Sequence, residues 1–247
     1  MATESKMMET ESKGLIATRK FENAGMAFFQ RVLLWAIPGL AIPFNFDLPS
    51  HFGLVMLREQ YLAIVLSLVL CSVFLLVPAG RRASLVKAPW YDLILALLSA
   101  VAGGYLVLFY PSIVNEVGEL TPDKIAMGAM AILLIMEACR RLIGWILVII
   151  AGIFIFYAHY AHFFPGVLNA KGISWSKIAV HLFIDPNALL GIPLDIAASI
   201  VVAFIVFGQA FSISGGGDFF TDVAMSAMGR FRGGAAKISV LSSALFG

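Results

Sequence analysis

The sequence predicts an all-α polytopic integral membrane protein, and three observations carry that expectation. Apolar residues make up 60% of the 247 residues and charged ones only 13%, whereas a soluble domain carries about a quarter of its residues as Asp, Glu, Lys and Arg. The apolar residues come in long uninterrupted runs rather than alternating patterns, with a mean hydropathy of +0.93. The basic residues gather between alternate runs. A soluble protein with a very large core is the alternative, and the length of the runs argues against it. The 20 phenylalanines and 10 methionines suit a lipid-facing or helix-packed surface.

A helix crosses a bilayer with about 20 apolar residues. About six transmembrane helices fit the runs, with a truncated seventh and a short amphipathic surface helix. The first, Ala27 to Phe44, contains Pro38 and Pro43 and is expected to be kinked. The second, Tyr61 to Val77, runs into Pro78. The third, Trp90 to Tyr110, carries aromatic anchors at both ends. The fourth, Ile125 to Cys139, is short and meets Arg140 and Arg141. The fifth is Leu142 to Tyr160 and the sixth Ile192 to Phe211. The last apolar run starts near Ala235 and is still apolar at Gly247, about a dozen residues and too few to span. A short helix from Ser174 to Phe183, with Ser174 as N-cap, is expected to lie along the membrane.

Residues 1–26 read as a polar cytoplasmic tail, with Lys6, Lys13, Arg19 and Lys20 set against Glu4, Glu9, Glu11 and Glu22, and not as a secretory signal. With the N-terminus inside, the inner segments collect Lys6, Lys13, Arg19, Lys20, Arg31, Arg81, Arg82, Lys87, Arg140, Arg141, Arg230, Arg232 and Lys237. The other side holds only Arg58, Lys124, Lys171 and Lys177. Cytoplasmic loops carry the Lys and Arg excess, so the reverse orientation is disfavoured.

Chemistry-bearing residues are sparse. Cys71 and Cys139 sit inside apolar runs and read as small buried hydrophobes. His159 and His162, with His181 further on, could be read as metal ligands, but no carboxylate lies near the pair, and interfacial anchoring fits better. No metal site and no catalytic constellation is expected, so the protein does not read as an enzyme. Glu137 lies three and four residues before Arg140 and Arg141 and can form an intrahelical ion pair. Its use is either as an interfacial anchor or in joining helices. Asp195, about one turn inside the sixth span after Pro193, is a candidate for a polar cavity, because charges inside a membrane default to function. Gln209, near the other end, is comparable. Gly103 and Gly104 suit close helix contact.

The stretch from Ser212 to Gly247 is the most informative. Gly215, Gly216 and Gly217 are expected to end the sixth span, and Asp218 to cap a helix over Phe219 to Met228. That helix is expected to present Phe219, Phe220, Val223, Ala227 and Met228 on one side and Asp222 and Ser226 on the other. Gly229 suits the end of that helix. Gly233 and Gly234 then allow a reversal into the last run, which contains Ser242 and Ser243. A phosphate cradle at the three glycines lacks the strand and the Lys-Ser/Thr that it needs. A hinge or close-packing device is the stronger reading.

This stretch resembles the fused permease of the tripartite ATP-independent periplasmic (TRAP) transporters, of the type that works with a TAXI-class binding protein. The resemblance rests on Phe207-Gly208, on GGGDFFTDVA at 215–224, on GRFRGGAAK at 229–237 and on VLSSALFG at 240–247. Asp92, the EACRR segment at 137–141, Gly144 and Pro165-Gly166 also fit, so the likeness covers roughly residues 85–247.

The resemblance implies a secondary transporter in a bacterial or archaeal inner membrane. It would import a small solute, such as an organic acid, brought by a periplasmic binding protein. Sodium would be the coupling ion, with no other cofactor. It also implies a small-subunit-like four-helix domain over residues 27–141 and the start of a large-subunit-like transport domain over 142–247. In the family the chain continues past the position of Gly247 into a Gly/Ser-rich hairpin carrying the ion and substrate contacts. The expectation is therefore that this chain is a fragment, a frameshifted product or a truncated form, with its binding residues beyond Gly247. Asp195, Gln209, Gly215, Gly216, Gly217, Asp218, Gly233, Gly234, Ser242 and Ser243 remain as candidate functional or hinge positions. The alternative is a non-transporting membrane scaffold or assembly subunit.

Overall fold

A computed structural model describes residues 19, 24–51, 53, 56–80, 89–116, 119–228 and 240. These are helical almost throughout: α1 (Ala24–Asn45), α2 (Leu48–His51), α3 (Arg58–Leu76), α4 (Trp90–Asn115), α5 (Pro122–Leu142) and α6 (Trp145–Tyr160). Two 3₁₀ turns (Ala161–Phe163 and Gly166–Leu168) lead to α7 (Trp175–Ile184) and α8 (Ile192–Ile196). A π-helical segment (Ala197–Val201) continues into α9 (Val202–Ile213), and α10 (Gly216–Met228) follows. The all-α class stands. Five described helices are long and apolar enough to cross a membrane. The expected fourth span forms as α5, whose 21 residues give it spanning length, but it carries charge at both ends, Asp123 and Lys124 at one and Glu137, Arg140 and Arg141 at the other.

The boundaries follow local chemistry. Pro122 starts α5 at a position where a missing N–H costs nothing. Gln60 Oε1 accepts from the Leu57 N–H at 2.9 Å and closes the start of α3. The expected fifth span, Leu142 to Tyr160, is corrected at its beginning. Gly144 has φ 104° and ψ −170°, a conformation essentially reserved for glycine, so the chain breaks between α5 and α6 and the new helix starts at Trp145. The expected sixth span forms over Ile192–Ile213, with α8, the π segment and α9 running on as one helical stretch.

The chain divides into two compact units, Met1–Ser199 and Ile200–Gly247. In the first, α3 is central, packing most closely on α4 and also on α1, α5 and α8. Of the α3 span 56% is buried, against 6% of the α6 span. Its core joins Tyr61, Leu62, Val65, Leu106, Tyr110 and Phe183 at one end and Leu70, Phe74, Leu75, Leu134 and Ala138 at the other. Lipid tails are as apolar as leucine, so close packing rather than water exclusion holds such helices together. Gly103 supplies it as expected, since a Cβ there would overlap Ser67 on α3; Gly104 faces open space. Gly128 does the same where α5 meets Ala179 of α7.

The α7 helix starts at Trp175, with Ser174 in the N-cap conformation but without a side-chain cap bond. Its Ile178, Ala179 and Phe183 are buried, and it packs on α5.

In the second unit α9 packs on α10. The α10 helix begins at Gly216, two residues before the expected cap, so Asp218 lies in its first turn, where a carboxylate suits the helix dipole. Gly215, at φ 80°, makes the turn after α9. A Cβ at Gly216 would overlap the Phe211 ring. Ala224 is fully buried and Phe220 partly so, whereas Phe219 and Val223 of the expected apolar side are exposed. The Phe211 and Phe220 rings lie 5.7 Å apart. Gly229, Gly233, Gly234, Ser242, Ser243 and the rest of the last run except Val240 lie outside the described residues.

Candidate functional site

Two charge clusters stand at the two ends of α3, separated by its 19 residues, about 27 Å of helix. The first gathers at the C-terminal end. Asp92, in the first turn of α4, is fully buried and is held by Arg19 Nη2 at 2.6 Å and Arg141 Nη2 at 2.7 Å. Arg141 also donates from Nε to Glu137 Oε1 at 2.8 Å and from Nη1 to the Val77 carbonyl at 3.1 Å. Arg140 grips the same carboxylate twice, with both contacts at 2.7 Å, and lies over the Trp145 ring. The intrahelical pair expected at Glu137 thus exists, as one strand of a larger knot joining the Arg19 segment, α3, α4 and α5.

This knot also satisfies the end of α3. The last four carbonyls of a helix have no partner within it, and in an apolar surrounding each costs several kcal/mol if left bare. Here the Val73 carbonyl accepts from the Val77 N–H, and the Leu76 carbonyl from the Arg19 N–H, both at 2.8 Å. The Phe74 and Leu75 carbonyls accept from the Arg19 guanidinium at 3.4 and 3.2 Å.

The second cluster gathers at the other end. Asp195 lies in α8 and receives both sides of the Arg58 fork, Nε at 2.7 Å and Nη2. Asp195 therefore has a partner on α3. Arg58 remains 62% exposed and Asp195 19%. The π segment beside the pair is pinned from α1 and α3. Tyr61 Oη donates to the Ala198 carbonyl at 2.8 Å, and Asn45 Nδ2 to the Ser199 carbonyl at 3.4 Å. Ser199 Oγ donates to the Asp195 carbonyl at 2.6 Å. Tyr61 is itself fixed by stacking on Phe44, with ring centroids 3.8 Å apart. Single π turns concentrate at functional sites, because an extra residue in the helix releases backbone carbonyls for other partners.

The other candidates are placed apart. Gln209 is exposed on α9. His159 donates from Nδ1 to the Ile173 carbonyl at 2.8 Å and stacks on Trp175, His162 lies against Phe163, and His181 pairs with Asp185. Among the described residues no group of three or more His, Cys, Asp or Glu is placed to hold a metal ion. Sequence reasoning missed Arg58, Asn45, Tyr61 and Ser199. Only Ser199, four residues after Asp195, carried a local signal, and the others lie more than 130 positions away from it.

Residues 130–247 match a family model described as Tripartite ATP-independent periplasmic transporter, DctM component. The match begins within α5 and takes in Glu137, Arg141 and Asp195. No curated protein and no solved structure matches the chain. The matched stretch is similar to the permease component of a TRAP transporter, and the long apolar helices make the chain a multi-pass membrane protein.

Proposed function

We propose that the chain is the membrane permease part of a secondary transporter that imports a small organic acid. The solute is delivered by a periplasmic binding protein of the TAXI type, and a sodium gradient drives the import. The family match over residues 130–247 carries this reading. The π turn between α8 and α9, beside a charged pair, supports it, because such turns concentrate at functional sites. The N-terminus is cytoplasmic in this reading, on the strength of the basic-residue bias. Residues 27–141 form the small-subunit-like domain, and residues from 142 onward belong to the transport domain.

The test is uptake by proteoliposomes holding the protein. A candidate binding protein loaded with radiolabelled organic acid is supplied outside, together with an inward sodium gradient. Uptake that collapses when potassium replaces sodium is the expected result. Uptake indifferent to sodium would remove the coupling assignment. A folded, reconstituted protein that binds the partner yet moves nothing under any gradient would favour the scaffold reading.

A further inference from the structure

The segment between α6 and α7 is long and irregular, yet it is closely tied to the end of α6. Tyr157 Oη donates to the Leu168 carbonyl at 2.8 Å. The Ala170 N–H bonds the Ala161 carbonyl at 3.3 Å, and the Ile173 N–H bonds the Ala158 carbonyl at 3.0 Å. Asn169 Nδ2 donates to the His162 and Phe164 carbonyls at 3.2 and 2.9 Å. The chain therefore rises from α6, turns over at Phe164 to Leu168, and returns at Ile173 to the level of Ala158. Trp175 then sits against the His159, Phe156 and Tyr160 rings, at 4.5, 5.5 and 6.5 Å between centroids.

The depth of this segment follows from α6. That helix has no buried residue, and the apolar span containing it runs from Trp145 to Phe163. Sixteen α-helical residues and one 3₁₀ turn rise about 30 Å, which is the thickness of the hydrocarbon core. Trp145 lies beside the Arg140 guanidinium and marks one interface. The turn-over then falls at the opposite interface. Its largest exposed side chains there are apolar: Val167 is fully exposed, Phe163 is 73% exposed, and Leu168 and Phe164 are also exposed, beside the exposed His162, Asn169 and Lys171. From Ala161 to Trp175 the only residue among Asp, Glu, Lys and Arg is Lys171. The local bonds engage the carbonyls of Ala158, Ala161, His162, Phe164, Gly166 and Leu168, which an irregular backbone at membrane depth requires.

We infer that residues 161–173 are a lipid-seated collar, in which Phe163, Phe164, Val167 and Leu168 insert into the bilayer interface at the end of α6, with Lys171 at headgroup level. Lipid is the inferred occupant because Phe163 continues the row of exposed apolar side chains Ile153, Phe156 and Tyr160 along the spanning helix α6. The collar thereby fixes the depth at which α7 begins, and α7 carries Phe183 into the bundle core.

Site-directed spin labelling tests this in vesicles of phosphatidylethanolamine and phosphatidylglycerol. The background is the full chain with Cys71→Ala and Cys139→Ala. Nitroxides go at Val167→Cys and Leu168→Cys, with Ile153→Cys as the mid-span control and Glu119→Cys as the aqueous one. Oxygen and nickel-chelate collision rates are expected to place positions 167 and 168 roughly 5–10 Å below the phosphates. Nickel access equal to that at position 119 would overturn the inference. So would shielding from both reagents, which would mean a protein surface covers the patch. Adding Val167→Asp should move the label at 168 toward water while the label at 153 keeps its depth. An unchanged depth at 168 would deny these side chains the seating role.

Discussion

The two ends of α3 handle charge in opposite ways. At its C-terminal end Arg19, Asp92 and Arg141 are buried, and both carboxylate oxygens of Asp92 are engaged. At its N-terminal end the Arg58 to Asp195 pair has good fork geometry but keeps Arg58 largely exposed. Burial raises the stakes of a charged group, because an unpaired ion in a low-dielectric surrounding has no water to fall back on. The buried knot is therefore a structural joint that breaks badly, whereas the exposed pair can open at low cost. The π segment lies beside the exposed pair.

The largest expected effect probes the buried end. Arg141→Leu leaves Asp92 and Glu137 short of a partner and bares the Val77 carbonyl. It should cost roughly 3–5 kcal/mol, seen as a large fall in the unfolding midpoint of detergent-purified protein. A midpoint close to that of the native chain would show that the knot is not a joint.

Next comes packing. Gly128→Val puts a side chain into the Ala179 backbone. Overpacking of this kind should cost about 1–3 kcal/mol and loosen α7 from α5, read as faster amide exchange in α7. Unchanged exchange there would sink the claim that this close approach holds α7 in place.

Tyr61→Phe keeps the ring stacked on Phe44 and removes only the bond to the Ala198 carbonyl. About 1 kcal/mol is expected, with faster exchange confined to the π segment. Exchange rising evenly along the chain would instead make Tyr61 a general core residue.

The smallest effect is Arg58→Ala. An ion pair this exposed is worth about 1 kcal/mol or less. A double-mutant cycle with Asp195→Ala should return a coupling of that size that shrinks as salt is added. A coupling as large as the Arg141 effect would abolish the contrast between the two ends.

Much of the fold was legible because it rests on short-range chemistry. Helix existence followed from apolar run length in α1, α3, α4, α6 and α9, and the intrahelical contact of Glu137 with Arg140 and Arg141 followed from i, i+3 and i+4 spacing. The misreadings share a cause. The break at Gly144 depends on one backbone angle. The packing of α7 on α5 was not legible because the sequence does not show that Gly128 leaves room for it.

The candidate site was far less legible. Asp195 was visible as a charge in an apolar span, but Arg58 was visible only as a loop cation, and 137 positions separate the two. Arg19, in a tail that read as polar and cytoplasmic, gave no sign of lying fully buried against Asp92.

By itself the sequence determined that this chain is helical, that it lives in a membrane, and which family its second half resembles. Those properties depend on composition, on run length and on residue order over a few turns. Only the tertiary structure decided which charges meet, that α3 stands at the centre of the first unit, and that the sixth span carries a π turn pinned from two other helices. Ion pairs and carbonyl bonds act over about 3 Å, so they depend on how distant segments come together, which no local stretch of residues records.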